Sequence, residues 1–313
     1  MLFSFVLPAY KSRFLKEALD SILAQTYIDF ELIIVDDASP ENIKGIVDLY
    51  DDLRLLYYRN PENIGGKDLV AQWNHSISFA KGDYIILASD DDKYAPEYLE
   101  EIERMIRRFP DVNVFRPRIS YINTNSEVIY SEPESNDIIL SRLGYLQRMV
   151  EGKLMSGVPQ YVFKRKALIE NQGFVNFPMA WASDDVTVVA LADKGLAIVN
   201  KPLFYFRYSD INISGRSDTI QTMRYKLKAA TMYFDYISNI LNSDPNTKEL
   251  LEALKIRAQQ GSISVITNCS FRHFLNGLYY MREIKSDLFP AKWRYNLLMS
   301  HIQNKLRHKL TGK

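Results

Sequence analysis

The stretch YIILASDDD, residues 84–92, decides the fold. Four apolar residues, Tyr84 to Leu87, run through Ala88 and Ser89 into three adjacent carboxylates, Asp90, Asp91 and Asp92. A short apolar run that stops in a polar turn reads as a buried strand. Adjacent carboxylates repel one another unless water screens them or a cation neutralises them. Two readings are open at this point. One is a wet turn whose Asp caps the next helix, with Pro96 at its first helical position. The other is a hard cation such as Mg²⁺ or Mn²⁺, held on aspartate oxygens and shared with phosphates.

Working outward, LFSFVLPAY (2–10), FELIIVDDASP (30–40) and LRLLYYRNP (53–61) are further strand-like runs that end in turn residues. Between them, Leu15, Ala18, Leu19, Ile22 and Leu23 form one helical stripe, and Glu41–Tyr50 and Lys67–Lys81 suit helices. After Pro96, the residues Leu99, Ile102, Ile106 and Phe109 share a helical face. This alternation predicts an α/β fold, a mainly parallel sheet flanked by helices, with ligands beyond the carboxyl ends of the strands. Pro8, Ala9 and Tyr10, then Asp36 and Asp37, then the aspartate triplet should therefore share one rim.

Beyond residue 110 the pattern loosens. VNVFRPRISYINTNSEVIYSE (112–132) suits extended strands around an Asn-rich turn, and residues 141–151 suit a helix. VPQYVFKRKAL (158–168) reads as a strand entering a helix, Asp185–Lys194 as helix, and AIVNKPLFYFRYS (197–209) as strand. From about Ser217 the chain is persistently helical and aromatic.

The bulk numbers narrow the class. The chain has 313 residues, 47% of them hydrophobic, and a net charge of +1, which does not suggest a nucleic-acid partner. A single cysteine, Cys269, rules out an internal disulfide and suits a reducing compartment. The apolar opening lacks the charged start of a signal sequence, and no apolar run approaches the roughly 18 residues of a membrane span. A cytoplasmic protein is expected. From Leu288 onward there is no acidic residue, while Lys292, Arg294, Lys305, Arg307, Lys309 and Lys313 are basic. That end suits either a solvated terminus or a peripheral contact with the inner face of the cell membrane.

Two other carboxylate pairs stand out. Asp36–Asp37 can accept hydrogen bonds from a base or ribose, or can simply close an Asp-Ala-Ser-Pro turn. Asp184–Asp185 opens DDVTVVALADKG, either capping that helix or presenting a general base. Gly65 and Gly66 permit close backbone approach or a turn. No phosphate loop of the GxxxxGK[ST] type occurs, and the four histidines have no metal-ligand spacing.

Taken in order, FSFVLPAY, FELIIVDDAS, NIGGKDLVAQWNHSISFAKGDYIILASDDD, MAWASDDVTVVALADKG and PLFYFRYSDINIS resemble the family 2 glycosyltransferases of the GT-A fold. The resemblance covers residues 1–215. It implies a catalytic domain over 1–215, with a Rossmann-like nucleotide-sugar-binding half (1–110) and an acceptor and catalytic-base half (111–215), followed by a helical C-terminal region (216–313). It implies transfer of a sugar from a nucleoside diphosphate sugar, UDP-linked, to a hydroxyl of a glycan or lipid-linked glycan, with inversion, in surface polysaccharide biosynthesis. By position it assigns nucleotide-sugar contacts to Pro8, Ala9, Tyr10, Asp36, Asp37, Asn74, Ser89, Asp90, Asp92 and Arg207. It assigns Mn²⁺ or Mg²⁺ to Asp91 and Asp90, and base catalysis to Asp185 beside Asp184. Ser89 stands where members commonly have Asp, and Ser209 near where they often have His. These departures keep a non-catalytic nucleotide-sugar or glycan binder as the alternative. The C-terminal helices suit covering the catalytic domain, membrane docking or a homodimer equally well.

Overall fold

The computed structural model describes residues 1–209, 219–241, 245–267, 270–284 and 286–311, with side chains to 303. It divides into one unit of Met1–Asn176 with Ser183–Asn212, and a second of Phe177–Ala182 with Ile213–Lys313.

The first unit begins as the alternation demands. Strands β1 (Phe3–Ala9), β2 (Phe30–Asp36), β3 (Leu55–Arg59) and β4 (Tyr84–Leu87) are parallel in the order β3-β2-β1-β4. Helices α1 (Leu15–Leu23), α2 (Ile43–Val47) and α3 (Leu69–Ile77) make the crossovers. Pro96 lies just outside α4 (Tyr98–Arg108), whose N-cap is Glu97; the helix starts two residues later than the proline suggested. β1 shows why the run is so apolar: Phe3, Phe5, Leu7 and Ala9 point into one core layer with α1, α2 and α4. Val6 is equally buried on the other side. Both faces are covered, so no solvent-facing alternation survives.

The second half of the sheet departs from the expected parallel plan. β6 (Val114–Ile122) and β10 (Leu196–Arg207) are parallel to each other. However, β9 (Val162–Lys164) runs antiparallel to both β4 and β6, and β7 (Val128–Ser131) is antiparallel to β6. The two-residue strands β5 (Lys93–Tyr94) and β8 (Ile139–Leu140) pair antiparallel with β10. The turn from Asn123 to Glu127 can close the β6–β7 hairpin but cannot make a parallel crossover. Helices α5 (Arg142–Val150), α6 (Arg165–Glu170) and α7 (Ser183–Leu191) complete this unit.

The second unit is helical, as its composition suggested: α8 (Ile220–Leu241), α9 (Lys248–Thr267), α10 (Phe271–Glu283) and α11 (Ala291–Thr311). Its own core gathers Met223, Leu227, Phe234, Ile266, Phe274 and Met281. Within it, the Lys226 ammonium lies 4.5 Å from the Trp181 ring centre. The side chains of Lys305, Arg307, Lys309 and Lys313, and Cys269, lie outside the described residues. Among the described residues, no helix is long and apolar enough to cross a membrane.

Phe5 is the pivot of the first core, with its ring centre 5.8 Å from that of Phe30, 5.0 Å from Tyr94 and 6.2 Å from Tyr98. Phe5→Ala is expected to cost about 3–5 kcal/mol of stability. A urea titration whose extrapolated loss falls below about 1 kcal/mol would contradict that role.

Candidate functional site: an acidic rim fixed by backbone donors

The turn after β4 is held from two sides. Oδ2 of Asp90 accepts the backbone N–H groups of Tyr10 (2.9 Å) and Lys11 (2.7 Å), so the turn after β1 wraps the first carboxylate. Asp92, 1% exposed, accepts the Arg207 backbone N–H at 2.8 Å on Oδ1 and the Ser89 hydroxyl on Oδ2. Ser89 therefore braces the turn in the position where an acid was expected. Asp91 alone of the three is not buried.

Arg207 closes the arrangement. It is fully buried and donates Nε to the Asp91 carbonyl at 2.8 Å, Nη1 to the Asn123 carbonyl at 3.1 Å and Nη2 to Glu17 at 2.9 Å. Its guanidinium also packs on the Phe14 ring. Arg207 thereby ties α1, the β6–β7 hairpin and the acidic turn together.

Burial dominates the electrostatics here. It raises Asp90 to about 6, helped by the Asp91 charge and opposed by the two N–H donors and by Lys11. Burial also raises Asp91 against the pull of Lys11, Ser89 and Arg207. It pushes Asp92 well up, with the Asp91 charge adding to the effect. Such a group favours a positive ligand. Among the described residues no three acids, histidines or cysteines converge as a ready-made metal cage. Asp90 and Asp92 accept internal hydrogen bonds, and Asp91 is the more exposed of the three. The donor set fits a hard cation that takes one carboxylate, Asp91, and brings its other oxygens from water and phosphates.

The neighbouring rim is also internally bonded. Asp36 is fully buried and accepts from Arg59, from the Tyr57 hydroxyl (2.7 Å) and from Ser39 N (2.8 Å). These bonds hold it at the buried end of β2. Asp37 accepts Asn60 Nδ2 (2.8 Å) and the N–H groups of Ile64 (2.9 Å) and Gly65 (2.7 Å). It thereby shapes the Gly65–Gly66 loop; a Cβ on Gly65 would sit 2.9 Å from its Oδ2. Pro8 and Ala9 end β1, and Tyr10 is 41% exposed on the same turn that binds Asp90. Asn74 makes both amide bonds to the Phe174 backbone (3.0 and 2.8 Å), so it buttresses that loop.

The third pair sits at the start of α7. Oδ1 of Asp185 accepts the hydroxyls of Ser156 (2.8 Å) and Tyr145 (3.0 Å), and Tyr161 bonds both of those hydroxyls. Burial and the adjacent Asp185 charge raise Asp184 to about 7, against backbone donors that include Val158. The two clusters are linked through short steps. Tyr94, two residues beyond the triplet, donates its hydroxyl to the Pro159 carbonyl (2.8 Å), next to Val158. Met179, Ala180 and Ala182 hold φ between 56° and 61° just before the pair, a left-handed backbone that costs about 1–2 kcal/mol per non-glycine residue. Glu17, Tyr145, Ser156 and Tyr161 escaped sequence reading, because single hydroxyls and acids scattered over the chain carry no spacing signal.

With this geometry in view, residues 4–168, just over half the chain, match the family described as glycosyl transferase family 2. The chain belongs to that family. Its activity is glycosyl transfer. This glycosyltransferase is 24% identical to an uncharacterized glycosyltransferase of Haemophilus influenzae, over 79% of this chain and 82% of that one. It is 34% identical to glycosyltransferase GlyG of Streptococcus pneumoniae, over about a third of each chain (34% and 35%). Among solved structures, S. aureus TarS 1–349 in complex with UDP-GlcNAc superposes with a TM-score of 0.61 at 19% identity, covering 97% of this chain and 92% of that one. The mannosyltransferase PcManGT of Pyrobaculum calidifontis, in complex with GDP-Man and Mn²⁺, gives 0.52 at 15%, covering 96% and 86%. Both likenesses establish the GT-A-type fold.

The raised Asp184 has a pH signature. The folded state holds a proton that the unfolded chain releases near pH 4, so stability falls as pH rises from about 4 to about 7 and then levels off. Asp184→Asn removes that loss. It is expected to raise stability by about 1–2 kcal/mol at pH 7.5, discounted for partial exposure, and by almost nothing at pH 4.5. Unfolding midpoints of the two proteins that stay parallel across that range would contradict the assignment.

Proposed function

We propose that this glycosyltransferase moves a sugar from a UDP-linked donor to an acceptor hydroxyl with inversion, in the assembly of a surface glycan. The observation that carries the reading is the acidic turn. Its outer aspartates are consumed by Tyr10, Lys11, Ser89 and Arg207, which leaves Asp91 as the accessible carboxylate on a rigid lip. Asp91 would hold Mn²⁺ or Mg²⁺ there. When bound, the ion neutralises charge growing on the departing diphosphate. The turn after β1, with Pro8, Ala9 and Tyr10, and the loop that Asp37 shapes would flank the nucleotide. That PcManGT is complexed with GDP-Man and Mn²⁺, and TarS with UDP-GlcNAc, supports a donor of this class.

Asp185 would take the proton from the acceptor hydroxyl as its oxygen attacks the anomeric carbon. Ser156 and Tyr145 fix the carboxylate's orientation through Oδ1. Attack on the face opposite the leaving group inverts the centre without a covalent enzyme intermediate. Asp185→Asn is expected to lower transfer at least about 100-fold while UDP binding is largely kept. Undiminished turnover would remove Asp185 from the mechanism, and a product with the donor's anomeric configuration would remove inversion.

The acceptor reading extends to the helical unit. Phe271, Leu275 and Tyr279 recur every fourth residue along α10 and are all exposed, and the chain from Leu288 onward carries no acid. This supports peripheral contact with an anionic membrane carrying a lipid-linked acceptor. Salt-sensitive co-sedimentation with phosphatidylglycerol vesicles is expected; equal recovery with neutral vesicles would count against it.

A further inference from the structure

The catalytic unit also contains a cavity of about 450 Å³ that the proposed chemistry leaves unused. Arg116 and Arg118 line it, two residues apart and so on one face of β6, together with Tyr130, Glu132, Arg148 and Met155. Arg116 is 1% exposed. Its Nη2 pairs with Glu132 and its Nε donates to the Pro117 carbonyl (3.2 Å), but its Nη1 is buried with no partner among the described residues. Arg118 donates Nη1 to the Glu132 carbonyl (3.0 Å), and its Nε is likewise buried with no partner among the described residues. A buried donor left unsatisfied costs about 1–3 kcal/mol, more when charged. Two on adjacent guanidinium groups mark a place where an acceptor group belongs.

The sign of the charge is set at depth. Glu132 is the buried carboxylate of this wall, and its Oε2 already serves Arg116 and the Ile119 N–H. Glu134 pairs loosely with Arg118 at 3.8 Å and its side chain is 76% exposed. Buried Arg116 and half-buried Arg118 face one buried carboxylate, which leaves an excess positive charge at depth, while Arg148 farther out is paired with Asp137. Planar guanidinium forks match carboxylate and phosphate oxygens better than neutral hydroxyls. The cavity also adjoins the candidate base. Met155 lines it, and the next residue, Ser156, donates to Asp185. Arg116 lies close enough to Tyr161, the hydroxyl bonded to Ser156, for its charge to act on that phenol.

We propose that this cavity is an acceptor subsite for an oxyanion, the carboxylate or phosphate of an acidic glycan, received by Arg116 Nη1 and Arg118 Nε. It rests on the transferase reading for its role as an acceptor site, and on the cavity alone for its anion preference. The occupant would be seated one residue from the segment that orients Asp185, so its charge would fix which hydroxyl reaches the base.

The test is calorimetric titration of the full chain with glucuronate, glycerol 3-phosphate and, as the neutral control, glucose. Binding of at least one anion and much weaker binding of glucose are expected, and the better anion identifies the source. Arg118→Gln should weaken that binding about tenfold, and Arg148→Gln, farther out in the same cavity, by less. Arg118→Lys, which keeps the charge but loses the fork, should fall between wild type and Arg118→Gln. If Arg118→Gln does not fold, by its unfolding transition, Arg118→Lys decides. Anion binding unchanged in the folded variants, or glucose binding as well as the anions, overturns the proposal. Because binding is read without turnover, the two readings separate. A chain that binds the anion but transfers nothing keeps the site and loses its acceptor role. A working transferase indifferent to Arg118 loses the site and keeps the transferase reading.

Discussion

The acidic rim depends on one buried cation. Three neighbouring aspartates at the end of a hydrophobic strand would spread apart, or take up protons, unless donors met them from fixed directions. Arg207 meets the turn twice, through its backbone N–H at Asp92 and its Nε at the Asp91 carbonyl. It can hold that position because its own charge is shared with Glu17 and with carbonyls of the β6–β7 hairpin. Removing one partner of such a buried network leaves the others desolvated and unpaired, which is costlier than the bonds themselves. The lip is stiff for that reason, and a stiff lip is what electrostatic stabilisation of a leaving group requires.

Much of this fold was legible because its local rules agree. Apolar runs of β1, β2 and β4, each ending in Pro, Asp or Ser, could only be buried parallel strands with a polar rim at their carboxyl ends. The second half resisted for a physical reason: β5, β8 and β9 are two or three residues long, too short for any periodicity, and tertiary pairing alone creates them. The mixed character of the sheet follows from those short strands and from one hairpin turn.

For the site, sequence reading located the acids but not their division of labour. Asp36 and Asp37 look alike as letters; one is locked behind the rim by Arg59 and Tyr57, the other organises the loop over Gly65. Asn74 and Arg207 stood in family positions associated with ligand, and they also bond the protein's own backbone and, for Arg207, Glu17. Ser89 looked like a loss and acts as a donor to Asp92. In each case the deciding fact is a partner many residues away, which no local pattern announces.

That distance has a consequence for how the chain acquires its site during synthesis. The acidic turn ends at Asp92, yet Asp185 and Arg207 come later. A nascent chain that has emerged only that far can assemble β1 to β4 and the acidic turn, while the cation that steadies the turn has not been made. Contacts spanning 115 and 190 residues close only after the entropy of those loops has been overcome. The half built on β1 to β4 would thus fold early as a scaffold, and its acidic edge would be sealed last by the strand that completes the sheet. A chain released before β10 would carry the acids without the clasp.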